Sequence, residues 1–276
     1  MALDDNALKI KLQEWKERQR KDDIKYIIMG GLSLLVFLLF WQLAVEFGLA
    51  NPRLLPPPTA IFESFLDKIT NPDPDGNVMG VNIMASLQVA LTGFFAALII
   101  GIPLGLFMGW YRYADRFLRP IFELIRPIPP IAWIPIVVVW MGIGLRARAL
   151  IIFFTSFVPC VINSYTGIRL TNQTLINVSK TFGASYFEMF YKVGIPSAMP
   201  MVFAGIRVAL GNSWSTLVAA EMLASSAGLG YMIQYGRMVA RPDIVIVGML
   251  TIGFVGAILS ALLLFVEKNF LKWKTL

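Results

Sequence analysis

The sequence predicts an all-α, polytopic membrane protein with about six spanning helices. Four observations predict it. Hydrophobic residues make up 57% of the 276-residue chain and charged residues only 15%. The mean hydropathy of +0.68 lies outside the range of ordinary soluble domains. Apolar runs near or above the roughly 20 residues that cross a bilayer recur along the chain. Between them the Lys and Arg residues cluster at alternate ends, the pattern that spanning helices adopt when positive loops stay inside.

The runs fall at residues 26–47, 84–110, 117–141 (interrupted), 150–168, 201–223 and 244–266. Ahead of them, residues 1–25 are densely charged and do not read as a signal peptide. Leu8, Leu12 and Trp15 make an i, i+4, i+7 stripe there, predicting a short amphipathic helix on the inner membrane surface. The remainder, 26–276, is one transmembrane domain. Basic clusters sit before the first run, at Arg112, Arg116 and Arg119, at Arg169, Lys180 and Lys192, and at Lys268, Lys272 and Lys274. With six crossings these fall on one face, which places both termini in the cytoplasm. Arg53, Lys68, Arg146, Arg148, Arg237 and Arg241 are left outside. The net charge of +7 is therefore a topology signal rather than a nucleic-acid footprint.

Residues 48–81 form an external segment. Pro56-Pro57-Pro58 leads to Thr59, a predicted N-cap, then to Ile61, Phe62, Phe65, Leu66 and Ile69 on one helical face. The run Asn71 to Gly76 predicts an exposed turn after that short helix.

Two spans are interrupted. In the third, Pro127, Pro129 and Pro130 fall within four residues, with Pro135 beyond. Each proline costs about 3 kcal/mol in a helix interior. A broken helix survives in a bilayer only where protein or a water-filled path covers the freed backbone. Glu123, Arg126, Pro127 and Trp133 are thus candidates to line a pathway, or else to form a plain kink, with Glu123 and Arg126 neutralising each other at i, i+3. The fifth span carries Asn212, Ser213, Trp214, Ser215 and Thr216, then Glu221. Small and hydroxyl side chains of this kind either line an aqueous path or let helices approach closely.

Enzyme chemistry finds no footing. The chain has no histidine and one cysteine, Cys160, so no metal site is expected. No nucleophile elbow or phosphate-binding Gly-Lys-Ser/Thr loop occurs. The chain is expected to bind no cofactor and to hydrolyse no ATP.

One polar island, residues 177–200, remains. Its helical potential divides into 171–183 and 184–193, joined at Gly183, a residue that permits a sharp turn. Phe182, Tyr186, Phe187, Phe190 and Tyr191 supply an aromatic surface of the kind that anchors protein interfaces. Ile195-Pro196 and Met199-Pro200 are expected to end the loop and start the next span.

Gly183 followed by Val193-Gly194-Ile195-Pro196 resembles the coupling (EAA) loop of ABC importer permeases. Further motifs extend the resemblance over nearly the whole chain. They are Leu55 to Pro58, Arg126-Pro127-Ile128-Pro129-Pro130-Ile131-Ala132-Trp133-Ile134-Pro135, Trp140 to Gly144, and Gly211 through Glu221. On these residues the chain resembles the nitrate, sulfonate, taurine and bicarbonate permeases of binding-protein-dependent ABC importers. It departs from the loop pattern at Asn177-Val178-Ser179, where the general motif has Glu-Ala-Ala, so a contact made by that carboxylate does not carry over.

The resemblance implies a type I, MetI-like permease fold in a bacterial inner membrane, paired with a second copy as a homodimer. It also implies two cytoplasmic ATPase subunits, which hold ATP and Mg, and an extracytoplasmic binding protein. The coupling loop, about 171–198, would meet the ATPase through Asn177, Ser179, Lys180, Phe182, Gly183, Ala184, Tyr186, Phe187, Ile195 and Pro196. Arg146, Arg148, Arg237 and Arg241 suit an acidic binding-protein surface or an incoming anion. Small oxyanions lead the expected substrates. A thiamine-precursor pyrimidine or an aromatic acid stands as an alternative cargo. An ion-coupled secondary transporter using Glu123 and Glu221 is the contrasting class, though no second copy of the 126–135 break is present.

Overall fold

The computed structural model describes residues 5–271. Every regular element among them is helical. The chain divides into two compact units, Met1–Glu63 and Ser64–Leu276.

The first unit holds α1 (Asp5–Glu46), an uninterrupted helix of which Ile28–Glu46 is apolar enough to cross a membrane. The charged leader and the first span are therefore continuous from Asp5 onward. Residues 5–27 contain no Gly or Pro and many good helix formers, so nothing stops the helix there. The side chains of Leu8 and Leu12 lie outside the described residues, while Trp15 is exposed. Leu34, Phe37 and Phe40 are exposed along the span, an apolar surface suited to lipid. Gly48, at φ +74°, closes the helix by turning the chain through the left-handed region. Next comes α2 (Pro58–Thr70), which begins in this unit and ends in the other. Pro58 rather than Thr59 opens it, because a proline at the first helical position loses no hydrogen bond. Thr59 is no cap: its N–H and hydroxyl both reach the Gln42 side chain at 3.4 Å.

The second unit follows the order α3 (Met79–Trp110), α4 (Arg112–Ile125), a 3₁₀ turn (Pro130–Trp133), α5 (Ile134–Met141) and α6 (Leu145–Arg169). It continues with α7 (Gln173–Thr181), α8 (Tyr186–Met189), a π turn (Phe190–Gly194), α9 (Ile195–Ala224), α10 (Leu229–Met238) and α11 (Pro242–Phe270). Its core is the row α3–α6–α9. Residues 93, 97, 101, 105 and 109 of α3 are Gly, Ala, Gly, Gly, Gly, one small face at a spacing of four. A Cβ at Gly93 would stand 2.6 Å from the Ile152 Cβ, and one at Gly105 2.8 Å from the Ser164 Cβ. Small residues let backbones approach where lipid supplies no hydrophobic drive between helices. The α6–α9 seam uses the same device, with Gly167 beneath Met201 and Gly205 beneath Asn163. By contrast α11 is peripheral, with 11% of its apolar window buried against 50% for α6.

Among the described residues five helices are long and apolar enough to span, and the pair Arg112–Ile125 with Pro130–Met141, bent by 81°, brings the number to six when taken as one broken span. The six expected spans are thus accounted for, and the third is broken where the prolines stand. The fifth differs from expectation at its start. Pro196 and Pro200 do not separate loop from span, because helix runs unbroken from Tyr186 to Ala224. Pro196 cannot donate to the Lys192 carbonyl; the π turn shifts the pairing so that the Ile195 N–H bonds to the Phe190 carbonyl. The helix absorbs Pro196 by widening for one turn, and Pro200 lies within α9.

The turn after α2 is not simply exposed either. The Lys68 side chain is fully buried, paired with Asp75 and donating to the carbonyls of Pro72 (2.9 Å) and Asp73 (2.8 Å). Counted from sequence as an outer surface charge, Lys68 is instead the clamp of this loop. Desolvation of the ammonium is offset because all three of its donors find oxygens.

Candidate functional site

Functional candidates gather in two places, the loop between α6 and α9 and a cavity at the broken helix. In the loop, α7 starts at Asn172, whose Oδ1 accepts from the Thr174 N–H at 2.8 Å. It stops at Gly183 (φ +77°), where the Gly183 and Ala184 N–H groups return to the Lys180 and Ser179 carbonyls at 2.9 and 3.1 Å. Ser185 then begins α8 with a capping box: its Oγ accepts from the Glu188 N–H (3.2 Å), and Glu188 Oε2 accepts from the Ser185 N–H (3.0 Å). This serine–glutamate pair fixes the angle between the two helices. Lys192 extends it, 3.3 Å from Glu188.

The loop's aromatic residues divide by role. Tyr186 and Phe190 face the end of α3: Trp110 lies 5.5 and 5.6 Å from their ring centres, and Tyr111 5.6 and 5.7 Å. The Tyr186 hydroxyl donates to the Trp110 carbonyl at 3.0 Å. Gly194 leaves the room this indole needs, since a Cβ there would come within 2.8 Å of it. Phe182, Phe187 and Tyr191 point outward, with Phe182 86% exposed. Beside Phe182 and Gly183 opens a groove of about 430 Å³, which Ser179, Ala184 and Lys192 help to line. Asn177, Lys180 and Pro196 are exposed on the same segment, while Ile195 is half-buried. The anchoring role of Trp110 and Tyr111 escaped the sequence reading. Their only signal was two adjacent aromatics at the end of a span.

The second place is a cavity of about 310 Å³. Arg126 and Trp133 reach it from the break, Thr155 from mid-α6, and Asn212, Ser215 and Thr216 from α9. Three turns of sequence logic build the break. Pro129 is extended (φ −58°, ψ 133°), Pro130 opens the 3₁₀ turn, and Pro135 sits in the first turn of α5, where its missing N–H costs nothing. Trp133 stacks on Phe154 at 5.0 Å and 17°. Glu123 stands outside the cavity, 3.5 Å from Arg126 and 3.8 Å from Arg119. Pro127 is not part of its lining.

The polar run of α9 splits by helical phase. Asn212, Ser215 and Thr216 share the cavity face at i, i+3, i+4. Ser213 is buried and bonds back to the Leu210 carbonyl (2.8 Å). Trp214 faces α11, donating to the Ile252 carbonyl at 3.0 Å above Gly256. The run thus divides between residues that line the cavity and residues that pack against neighbouring backbone.

Glu221 does not open on a path. Its carboxylate is buried, 2.8 Å from Ser86 Oγ and 2.9 Å from the Gly230 N–H. Ser86 Oγ also accepts from Leu229 N–H (2.8 Å), and Asn82 Oδ1 from Gly228 N–H (2.9 Å). The amides of Gly228, Leu229 and Gly230 at the start of α10 are thus received by side chains of α3 and α9, with a carboxylate at the positive end of the helix. The Asn82 and Ser86 pair, polar at i, i+4 in an apolar run, was the overlooked signal. Arg148 joins this network, 4.0 Å from Glu221 and 2.6 Å from Ser225 Oγ, with its side chain only 11% exposed. The four outer arginines therefore do not form one surface. Arg146 and Arg237 are exposed, and Arg241 is held by Asp243 at 2.6 Å, a hydrogen bond that pushes the guanidinium pKa above its usual value. At the loop end of the bundle Arg207 pairs with Glu267 of α11 at 3.2 Å, so it is partnered rather than left to reach for the surface.

Residues 101–274 match the family model described as "Binding-protein-dependent transport system inner membrane component". A putative ABC transporter permease protein of Methanocaldococcus jannaschii is 35% identical over 92% of this chain and 93% of its own. The taurine transport system permease protein of Escherichia coli is 34% identical over 87% of this chain and 88% of its own. Further relatives are named for nitrate, aliphatic sulfonate and bicarbonate transport. In fold, the chain resembles one solved in the MetNI methionine ABC transporter in an inward-facing conformation. That match has a TM-score of 0.57 at 20% identity and covers 69% of this chain and 93% of the other.

Proposed function

We propose that this chain, which belongs to the family of binding-protein-dependent transport system inner membrane components, carries a small oxyanion of the taurine, sulfonate, nitrate or bicarbonate class. The protein is a multi-pass permease subunit of an ABC importer and not itself an enzyme. Its family implies an ATPase and a binding protein as partners. In our reading two copies of the chain pair around the path, two ATPase subunits bind ATP and Mg below them, and both termini face the cytoplasm of a bacterial inner membrane.

One observation carries the mechanism: the loop is exposed on one side and bolted to the spans on the other. Phe182, Phe187 and Tyr191 offer the ATPase an aromatic surface beside Gly183. Tyr186 and Phe190 grip Trp110 of α3, and the helix beginning at Tyr186 continues as α9. Closure of the ATPase pair then moves α3 and α9 as rigid rods, and Asn212, Ser215 and Thr216 move with α9. This is alternating access, a two-state equilibrium biased by the partner's unequal contacts with the two states. The loop needs no Glu at position 177 for this, since its rigidity comes from Ser185, Glu188 and Gly183.

The test is co-purification with the ATPase and ATP-driven uptake by the complete importer. Joint replacement Phe182→Ala with Phe187→Ala should release the ATPase from a permease that still folds. Retained association with full uptake would refute this docking surface.

A further inference from the structure

The short helix α2 presents three faces of different chemistry. Ile61 and Lys68 are buried, with half-buried Ser64 between them. Phe62, Phe65, Leu66 and Ile69 are exposed, and their i, i+3, i+4, i+7 spacing gathers them into one apolar stripe. Glu63, Asp67 and Thr70 are exposed too and form a polar row beyond the stripe, away from the buried face. Water suits the acidic row and the rest of the chain covers the buried one. The apolar stripe needs an occupant.

Position relative to the spans decides what that occupant is. Ser64 Oγ donates to Asp243 Oδ2 at 2.7 Å, and Asp243 stands in the first turn of α11. Lys68 pairs with Asp75, whose other oxygen accepts from the Asn82 side-chain amide at 2.8 Å. Asn82 stands in the first turn of α3. Both α3 and α11 are spanning helices. The 29 residues of α11 measure about 43 Å at the rise of an α-helix, the thickness of a bilayer with its headgroups. Its first turn therefore stands at headgroup level, and Ser64 holds α2 there.

We propose that α2 is an interfacial anchor, with Phe62, Phe65, Leu66 and Ile69 sunk into the headgroup–acyl boundary of the leaflet at the α10 end. Glu63, Asp67 and Thr70 then face the water. Because the polar row is acidic, buried apolar area supplies the anchoring and attraction to anionic lipid does not. A soluble partner arriving from the water meets the acidic row first, which leaves the stripe to lipid. Through Ser64 and Lys68 the anchor ties the starts of α11 and α3 to the membrane surface. None of this depends on the cargo or on the ATPase.

The experiment uses the complete importer in phosphatidylcholine nanodiscs, with a fluorescent thiol label on Phe65→Cys or, separately, on Asp67→Cys. Cys160 is buried and stays in place, the parent chain serving as the blank. A lipid carrying a nitroxide near its headgroup should quench the label at 65 at least about threefold more than at 67, as for opposite faces of an interfacial helix. Iodide in the water should show the reverse order. Ile69→Cys reads the same stripe one turn on, should Phe65→Cys fail to assemble. Iodide reaching the stripe as readily as position 67 would overturn the anchor. So would a stripe closed to both quenchers, the mark of a covering protein. Lipid quenching that vanishes when the binding protein is added would overturn it as well, because the stripe would then be a docking face.

Discussion

The two ends of the second unit treat their polar and aromatic residues in opposite ways. At the loop end, Phe182, Phe187 and Tyr191 stand in the open, a surface larger than the loop needs for its own fold. At the α10 end, Glu221, Arg148, Ser86 and Asn82 are inward and bonded to one another or to helix amides. Exposed apolar surface of the first kind is unfinished and asks for a partner. Buried charge of the second kind is complete and joins four helices, α3, α6, α9 and α10. An ionisable residue in a spanning helix is thus no pathway marker by itself; what decides is whether its hydrogen bonds are already met.

The comparison breaks most readily at Glu221. Glu221→Ala leaves Arg148 without its carboxylate and the Gly230 N–H without an acceptor. The expected cost is about 3–5 kcal/mol, typical of removing one partner of a buried pair, read as a large drop in melting temperature and yield in detergent. Glu221→Ala combined with Arg148→Met should recover part of it. Stability untouched by Glu221→Ala would mean that the carboxylate is not structural. Next in size is Trp110→Ala, which removes the half-buried ring that Tyr186 and Phe190 grip. About 3 kcal/mol of lost packing is expected, and with it ATP hydrolysis that no longer drives uptake.

The loop's outer face should behave in the opposite sense. Phe187→Ala should change the melting temperature little, within about 0.5 kcal/mol for an exposed site, while weakening ATPase association by about tenfold or more, as for an interface anchor. A variant that unfolds but still binds would invert the comparison. Smallest is Arg241→Gln at the α10 end. Its ion pair with Asp243 is half exposed, so a loss of at most about 1 kcal/mol is expected in the same melting assay.

Much of this was legible in the residues. Six apolar runs gave six spans, and the proline cluster marked the break, because both effects act locally on the backbone. Gly183 was readable as the loop's turn for the same reason. Other features were legible only in part. The prolines at 196 and 200 signalled a boundary, yet a π turn just upstream accommodates Pro196 and Pro200 sits inside α9. Asn212 to Thr216 announced a polar face without saying that Ser213 and Trp214 leave it. Arg148 and Lys68 counted as outer charges, but their partners lie 73 residues away at Glu221 and, for Lys68, in the following turn.

Hydrophobic length and charge asymmetry were enough to establish a membrane-spanning chain, since both follow from local composition against a bilayer's thickness and field, while the permease reading rested on the resemblance of the loop and its companion motifs to a known family. Which aromatics anchor and which stay free, which polar residues share a cavity, and which charges are spent on holding helices together depended on the three-dimensional packing. Those outcomes depend on the helical phase of α3, α6 and α9 relative to one another. That phase is set by glycine contacts between segments dozens of residues apart.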